Sequence, residues 1–304
     1  MLIVSRRSFL KSGLVAGTAL AGLGAAASSL KAQAESTAGK KERFKISLAA
    51  WSLQPWFNKE WTNLDLPRIV REEFGLDGLE FVNSFFELPR YDYLKDLKKR
   101  ADDYGVRLWL IMCDDDGDMS HNEKKEREIA VRQHHKWVDC AWFLGCQAIR
   151  GNARTQTPGT DDERVARCAE SYHALCEYAD QAGINVCVEN HGGFSSLPDK
   201  LVSLVKQVDH PRFGTLPDFG NFPPEVDRYE ATKMLVPYAK GISVKCTDFD
   251  ENGNHPEWDL DRLVEISLAS GYQGYLGIEA GSRHLKHRDN VKACKKLLQR
   301  HQYA

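Results

Sequence analysis

The chain has no surplus of basic side chains: 41 Lys and Arg stand against 43 Asp and Glu, a formal net charge of −2 over 304 residues. A protein that neutralises many phosphates needs the opposite balance, so nucleic acid is not expected as a partner. Nor do the eight cysteines, at 113, 140, 146, 168, 176, 187, 246 and 294, form a C-x-x-C pair, which removes the usual zinc and redox spacings. A Gly-rich loop of the kind that cradles a phosphate is also missing. The longest apolar run, from Leu14 to Ala27, falls short of the roughly 20 residues that span a bilayer, and low complexity is confined to residues 28–41. What is left is 42% hydrophobic and 28% charged, the composition of an ordinary globular chain long enough to bury one large core.

The first 34 residues depart from that average, with four Lys or Arg and no acid, leaving about −6 on the remaining 270. Ser5-Arg6-Arg7-Ser8-Phe9-Leu10-Lys11 precedes the apolar run, and Ala32-Gln33-Ala34 gives the small-x-small pattern of a cleavage site. The segment resembles a twin-arginine export signal. That resemblance implies a leader over 1–34, a tether over 35–43, the twin-arginine translocase as a partner, a periplasmic or extracellular destination, and a ligand loaded before export. Cys113, Cys187 and Cys246 lie in apolar strand-like runs and Cys168 and Cys176 on an apolar helix face, where a free thiol packs as a small hydrophobe. An oxidising compartment permits disulfides, but a domain of this size does not require them.

From residue 44 onward, short β-type runs alternate with longer amphipathic helices. The runs begin near Phe44, Gly78, Arg107, Gln147, Asn185, Phe213, Gly241 and Gly274, spaced 34, 29, 40, 38, 28, 28 and 33 residues apart. One strand, one helix and two loops consume about 30 residues. Between Asp161 and Gly183, Val165, Cys168, Tyr172, Cys176 and Ala179 recur at helical spacing, and Gly183 suits a left-handed C-terminal cap. Runs such as Asn185-Val186-Cys187-Val188 are nearly continuously apolar, as parallel strands covered on both faces must be. Eight such units without a linker predict a single (β/α)8 TIM barrel over 44–304, in preference to an open doubly wound sheet.

Chemistry in such a barrel sits where strands finish, and carboxylates stand there repeatedly. Strand 2 carries Glu80, strand 3 ends in Asp114-Asp115-Asp116, strand 5 in Glu189, strand 6 in Asp218 and strand 8 in Glu279. Gathering anions at one barrel mouth is costly unless a positive centre neutralises them, and a hard divalent cation, Mn²⁺ or Mg²⁺, takes oxygen ligands. Asp114 to Asp116 read as a helix cap or solvated turn. Glu189 and Glu279 instead precede the small-residue segments Asn190-His191-Gly192-Gly193 and Ala280-Gly281-Ser282, which admit a ligand to the backbone.

Leu79-Glu80-Phe81-Val82, Val188-Glu189-Asn190-His191-Gly192-Gly193, Pro217-Asp218-Phe219-Gly220-Asn221, Ser243-Val244-Lys245 and Gly277-Ile278-Glu279 together resemble the xylose-isomerase-like barrel family of sugar isomerases and epimerases. The resemblance implies a divalent metal held by Glu, Asp, His and Glu from strands 5 to 8. Glu189, Asp218 and Glu279 match three of these. The strand-7 His does not: Ser243 precedes Lys245 where the family reads His-x-Lys, and Asp218-x-x-Asn221 replaces Asp-x-x-His. Either three carboxylates hold the metal, with water, His191 or His255 completing the set, or Lys245 supplies a fixed positive charge instead.

Arg150 and Asn152 end strand 4, where a guanidinium can fork onto a carboxylate or sugar oxygens. His191, two residues beyond Glu189, is the best-placed neutral acid or base. Trp51, Trp56, Trp61 and Trp258 lie in loops after strands 1 and 7 and present indole faces for a sugar ring or for lid packing. Asn221 and Arg283 complete the substrate-binding candidates. Two facing carboxylates and a cation suit proton abstraction beside a carbonyl, with Glu189 and Glu279 as bases and Lys245 or the metal polarising the oxygen. The expected activity is that of an isomerase or epimerase on a non-phosphorylated sugar or glycoside. The rivals are a lyase or hydratase on the same site and a carbohydrate-binding barrel without catalysis; a three-zinc nuclease would need more histidines at strand ends.

Overall fold

Each strand of the structure, a computed structural model that describes residues 39–304, begins within one residue of its expected start. The leader and residues 35–38 lie outside the described residues. The strands are β1 (Lys45–Ala49), β2 (Gly78–Val82), β3 (Arg107–Met112), β4 (Ala148–Gly151), β5 (Asn185–Glu189), β6 (Phe213–Leu216), β7 (Ile242–Cys246) and β8 (Tyr275–Ala280). One α-helix follows each: α1 (Leu66–Glu72), α2 (Tyr91–Tyr104), α3 (Lys124–Leu144), α4 (Asp161–Gln181), α5 (Pro198–Val208), α6 (Arg228–Leu235), α7 (Leu260–Ala269) and α8 (His287–Gln299).

Paired strands are parallel throughout, in the order β6-β5-β4-β3-β2-β1-β8-β7. The ring is completed between β6 and β7 by backbone bonds from Lys240 N to Thr215 O (2.9 Å), Ser243 N to Pro217 O (2.9 Å) and Phe219 N to Ser243 O (3.0 Å). The result is the expected (β/α)8 barrel. Val186, Cys187 and Val188 are fully buried, because β5 meets side chains of the barrel interior on one face and helices on the other. Thr160 and Glu163 form a capping box that starts α4, and Gly183, at φ +69°, turns the chain after it into β5. All eight cysteines are buried and free.

The last residues of the expected tether, Lys41 to Arg43, already pair with the C-terminal end of the chain. Arg43 N donates to Gln302 O (2.8 Å) and Ala304 N to Lys41 O (3.0 Å), and the compact unit that holds the barrel runs from Lys41 to Ala304. Register then determines what meets at the mouth: β7 lies against β8 with Lys245 opposite Glu279 and Ser243 opposite Gly277. Gly277 has a packing reason to be glycine. A Cβ there would come within 2.2 Å of Glu80 Oε1, so its absence opens the space that Glu80 occupies inside the barrel.

Candidate active site

Side-chain alternation on a strand sends every second residue inward, and at the C-terminal end of the barrel those inward positions are charged. Glu189, Asp218 and Glu279 converge, with one oxygen from each lying within 4.8 Å of the others. Asp218 sits two residues beyond β6 and is completely buried. Its Oδ1 accepts the N–H groups of Gly220 and Asn221, both at 2.8 Å, and its Oδ2 accepts Ser243 Oγ at 2.7 Å. Asn190, directly after Glu189, clamps the same backbone by donating to Asp218 O (3.0 Å) and accepting Asp218 N (2.7 Å). Ser243 thus stands where the resemblance called for an imidazole, and its hydroxyl also approaches Glu279 Oε2 at 3.4 Å.

Two cations are threaded through these acids. Lys245 Nζ lies 2.7 Å from Glu279 Oε1 and 3.6 Å from Asp218 Oδ2, and donates to Asn221 Oδ1 at 2.9 Å. Burial opposes its charge, but Asp218, Glu279 and Glu189 outweigh that penalty and raise the ammonium above its ordinary range. Arg150 is 2% exposed; its Nη1 donates to Asp114 Oδ1 at 2.7 Å and its Nε lies 3.1 Å from Glu189 Oε2. The second contact is an ion pair rather than a good hydrogen bond, because the N–H is poorly aimed and leaves both Arg150 Nε and Glu189 Oε2 buried without a hydrogen-bond partner. Burial likewise opposes the guanidinium's charge, and Glu189 and Asp114 more than restore it. Asp114 is held below the ordinary carboxylate range despite its burial, by Arg150 and Asn152.

Glu189 behaves differently. Burial, with Asp218 and Glu279 adding to it and Arg150 and Lys245 opposing, pushes its carboxyl up to about 8. Four carboxylates (Asp114, Glu189, Asp218, Glu279) face two cations (Arg150, Lys245), an excess of two negative charges if all ionise. A divalent cation would neutralise that excess. Two buried carboxylates and the half-buried Glu279 within mutual reach, one of the three with an orphaned oxygen, form a donor set that fits a hard, oxygen-seeking ion.

The cavity above these groups measures about 380 Å³ and is lined by Trp51, Asp114, Arg150, Glu189, His191 and Glu279, with Ser84, Asp115 and Arg154 at its edge. His191 Nδ1 meets Asn152 Oδ1 at 3.1 Å, and burial with Arg150 and Lys245 nearby lowers the imidazole to about 4, so the ring is neutral. Asn152 also donates to Asp114 Oδ1 (2.7 Å), and Asn221 donates to Glu189 Oε1 (2.7 Å). Both amides therefore orient the charged groups.

Several expectations are corrected. Asp114 and Asp116 are neither caps nor solvated: Asp114 pairs with Arg150, and Asp116 accepts from Trp137 Nε1, Asn83 (2.6 Å) and Lys136 (2.8 Å), leaving only Asp115 exposed. Glu80 lies one layer below the cavity floor, accepting Ser47 Oγ at 2.5 Å, and does not line the cavity. His255 does not join the carboxylates, since it stacks on Trp258 at 3.8 Å and its Nδ1 accepts the N–H of Glu257 at 3.2 Å. Trp258 is correspondingly covered by His255 and by Arg228, 4.2 Å from its ring, away from the cavity lining. Trp61 is core, with Nε1 donating to Leu53 O at 2.9 Å, and Trp56 packs on His287 and Arg288; Trp51 alone of the four lines the central cavity. Arg283 is exposed on the loop after β8 and does not line it either. Asp114, Ser243 and Arg154 were not among the candidates; the strand-end rule that selected Glu189 points equally to Asp114.

Glu80 supplies a pH test. Burial raises its carboxyl to about 7, against 4.5 for the free side chain, with Ser47 working the other way. The folded state therefore favours the protonated form, so this stabilisation is complete below pH 4.5 and disappears as pH rises through 7. Glu80→Gln keeps the acceptor for Ser47 and removes the titration. Urea unfolding is expected to show the variant gaining on the wild type from pH 5 to pH 8, by an amount on the order of 3 kcal/mol. A difference independent of pH would contradict the assignment.

The family described as Xylose isomerase-like TIM barrel matches residues 70–300. No curated protein matches the chain. Among solved structures, the chain is similar to 3-keto-D-glucoside 4-epimerase from E. coli in its apo form, at 17% identity over 84% of this chain and 99% of that one, with a TM-score of 0.65. It is similar to the probable 3-DHS dehydratase involved in petrobactin synthesis from Bacillus anthracis, at 16% identity, 84% and 99% coverage and a TM-score of 0.65. A third is a xylose isomerase-like TIM barrel protein from Mycobacterium smegmatis in complex with magnesium, at 18% identity, 84% and 97% coverage and a TM-score of 0.64. At these identities the likeness establishes the fold.

Proposed function

This chain belongs to the xylose isomerase-like TIM barrel family, and from that footing we propose that it is an exported isomerase or epimerase of non-phosphorylated sugars, working by proton abstraction beside a carbonyl. The observation that carries the proposal is the convergence of Glu189, Asp218 and Glu279 with Lys245 and Arg150 under one cavity. Export rests on the paired arginines and cleavage pattern of the leader. The acidic triad supports divalent-metal binding, and the magnesium complex of a structural neighbour accords with it. Glu189, Asp218 and Glu279 would hold the ion, which supplies Lewis-acid polarisation of the substrate's oxygens.

The chain's own residues account for the proton movements. Glu279 takes the proton from the carbon next to the carbonyl; the C–H electron pair forms the C=C bond of an enediolate and its charge moves to the oxygens. Lys245 and Arg150 bring positive charge to the place where that negative charge gathers. Glu189, three strands round the barrel, exchanges the proton on the other side. Return to the same carbon from the opposite face gives an epimer, and delivery to the neighbouring carbon gives an isomer. His191, neutral and held by Asn152, orients a hydroxyl, and Trp51 offers its indole to the sugar ring. Expulsion of a β-substituent from the same enediolate is the second reading, a lyase or hydratase, in keeping with the dehydratase fold neighbour.

Incubation with a panel of keto-sugars, with and without added Mn²⁺, followed by NMR of the products, tests the proposal. A changed configuration or a migrated carbonyl is expected. An unsaturated product would select the lyase reading, and a raised melting temperature without any product would leave a binding protein.

A further inference from the structure

A second recess, of about 200 Å³, opens beside the central cavity between the loops that follow β3 and β4. Asp115 and Arg154 line both spaces, so the two are contiguous along that edge. The recess is several times the roughly 30 Å³ that one water occupies in the liquid, the scale of a single pyranose ring. One largely buried imidazole, that of His134, lines it. His134, on α3 and 2% exposed, directs Nδ1 at Ala130 O (2.8 Å), which must be the donor end; its Nε2 has no hydrogen-bond partner among the described residues. Burial lowers the imidazole below its ordinary range, so the ring is neutral and Nε2 is an acceptor waiting for a hydroxyl or N–H.

The remaining lining says what kind of molecule brings that donor. Gln156 adds an amide with both a donor and an acceptor, and apolar side chains are nearly absent from the lining, which disfavours a lipid or aromatic group. Asp115 and Asp118 against the single cation Arg154 disfavour phosphate or sulfate. A cation is no better served, because Asp116 is committed to Trp137, Asn83 and Lys136, and Asp118 to Thr155 and the backbone of Ser120. A neutral polyol with both donors and acceptors fits what is left.

We propose that this recess is a subsite for a second sugar unit, so that the natural substrates are glycosides or disaccharides whose reacting ring fills the central cavity while the attached ring contacts His134 and Gln156. The proposal rests on the reading of the central cavity as a sugar site and extends it to the substrate class.

Isothermal titration calorimetry of the protein with cellobiose and glucose, lactose and galactose, and xylobiose and xylose tests it. At least one disaccharide is expected to bind 10-fold or more tightly than its monosaccharide. Gln156→Trp, which fills the recess from an exposed loop, should bring that ratio to within twofold, and His134→Phe should lower it by removing the acceptor. If the buried His134 variant fails to fold, the Gln156 variant alone decides. No disaccharide with an advantage, or an advantage that survives Gln156→Trp, would overturn the subsite. The two readings fail separately: a disaccharide advantage lost in Gln156→Trp without turnover of any keto-sugar keeps the subsite and removes the enzyme. Turnover of free keto-sugars with the same kcat/KM as their glycosides keeps the enzyme and removes the subsite.

Discussion

Glu189→Gln and Glu279→Gln are each expected to lower kcat by about 10²- to 10⁴-fold, the range that a positioned acid or base contributes. Glutamine keeps the shape and the acceptor oxygen while removing the proton-transfer group. Asn221 can still donate to residue 189, and Ser243 and Lys245 can still donate to residue 279. The fold should survive both changes. Burial pushes the Glu189 carboxyl up to about 8, so this site penalises a charge and tolerates the neutral Gln. Steady-state kinetics on the best keto-sugar, with melting temperatures as the control for folding, reads the effect. Activity surviving both substitutions would mean that these carboxylates do not move the proton.

Arg150→Met is expected to have the largest effect on stability. The guanidinium is 2% exposed and is shared between Asp114 and Glu189, and its fork geometry is why Lys would be a poor substitute. Removing one partner of a buried ion pair costs about 3–5 kcal/mol, chiefly because the other charge is left uncompensated. Here two acids lose their partner, though Glu189, whose carboxyl burial already raises, can escape part of the penalty by taking up a proton. The residual cost therefore falls mainly on Asp114, whose ionised form Arg150 sustains. Urea unfolding should show the loss, and adding Asp114→Asn to Arg150→Met should recover much of it, since the two sites are coupled. Strictly additive effects of the two substitutions would contradict the pairing.

The barrel was legible in the sequence because its signal is repeated eight times. A strand start is marked wherever a polar loop gives way to a run such as Asn185-Val186-Cys187-Val188, and the helix between two such runs adds its own period. Glu189, Asp218 and Glu279 were legible for a related reason: each interrupts or ends an apolar stretch where a charge has no structural excuse. Partnerships were harder to read. Asp114 to Asp116 look like a solvated turn because three adjacent acids usually are one, and only the fold reveals that Arg150 from the next unit and Trp137 from the helix that follows meet two of them. Glu80 is inward like Glu279 but one layer deeper, a distinction of height along the barrel that depends on strand register and on the space left by Gly277. Trp258 and His255 satisfy each other, and such a stack between residues three apart in a loop leaves no mark in the periodicity.

The most direct test of proton abstraction at this mouth is solvent-hydrogen exchange: keto-sugars incubated with the protein in D₂O, with Mn²⁺ supplied, and analysed for deuterium at the carbon beside the carbonyl. The account predicts label at that carbon with the wild type and loss of labelling in the Glu189→Gln and Glu279→Gln variants. Product that forms without solvent deuterium, or labelling that persists in both variants, would contradict it.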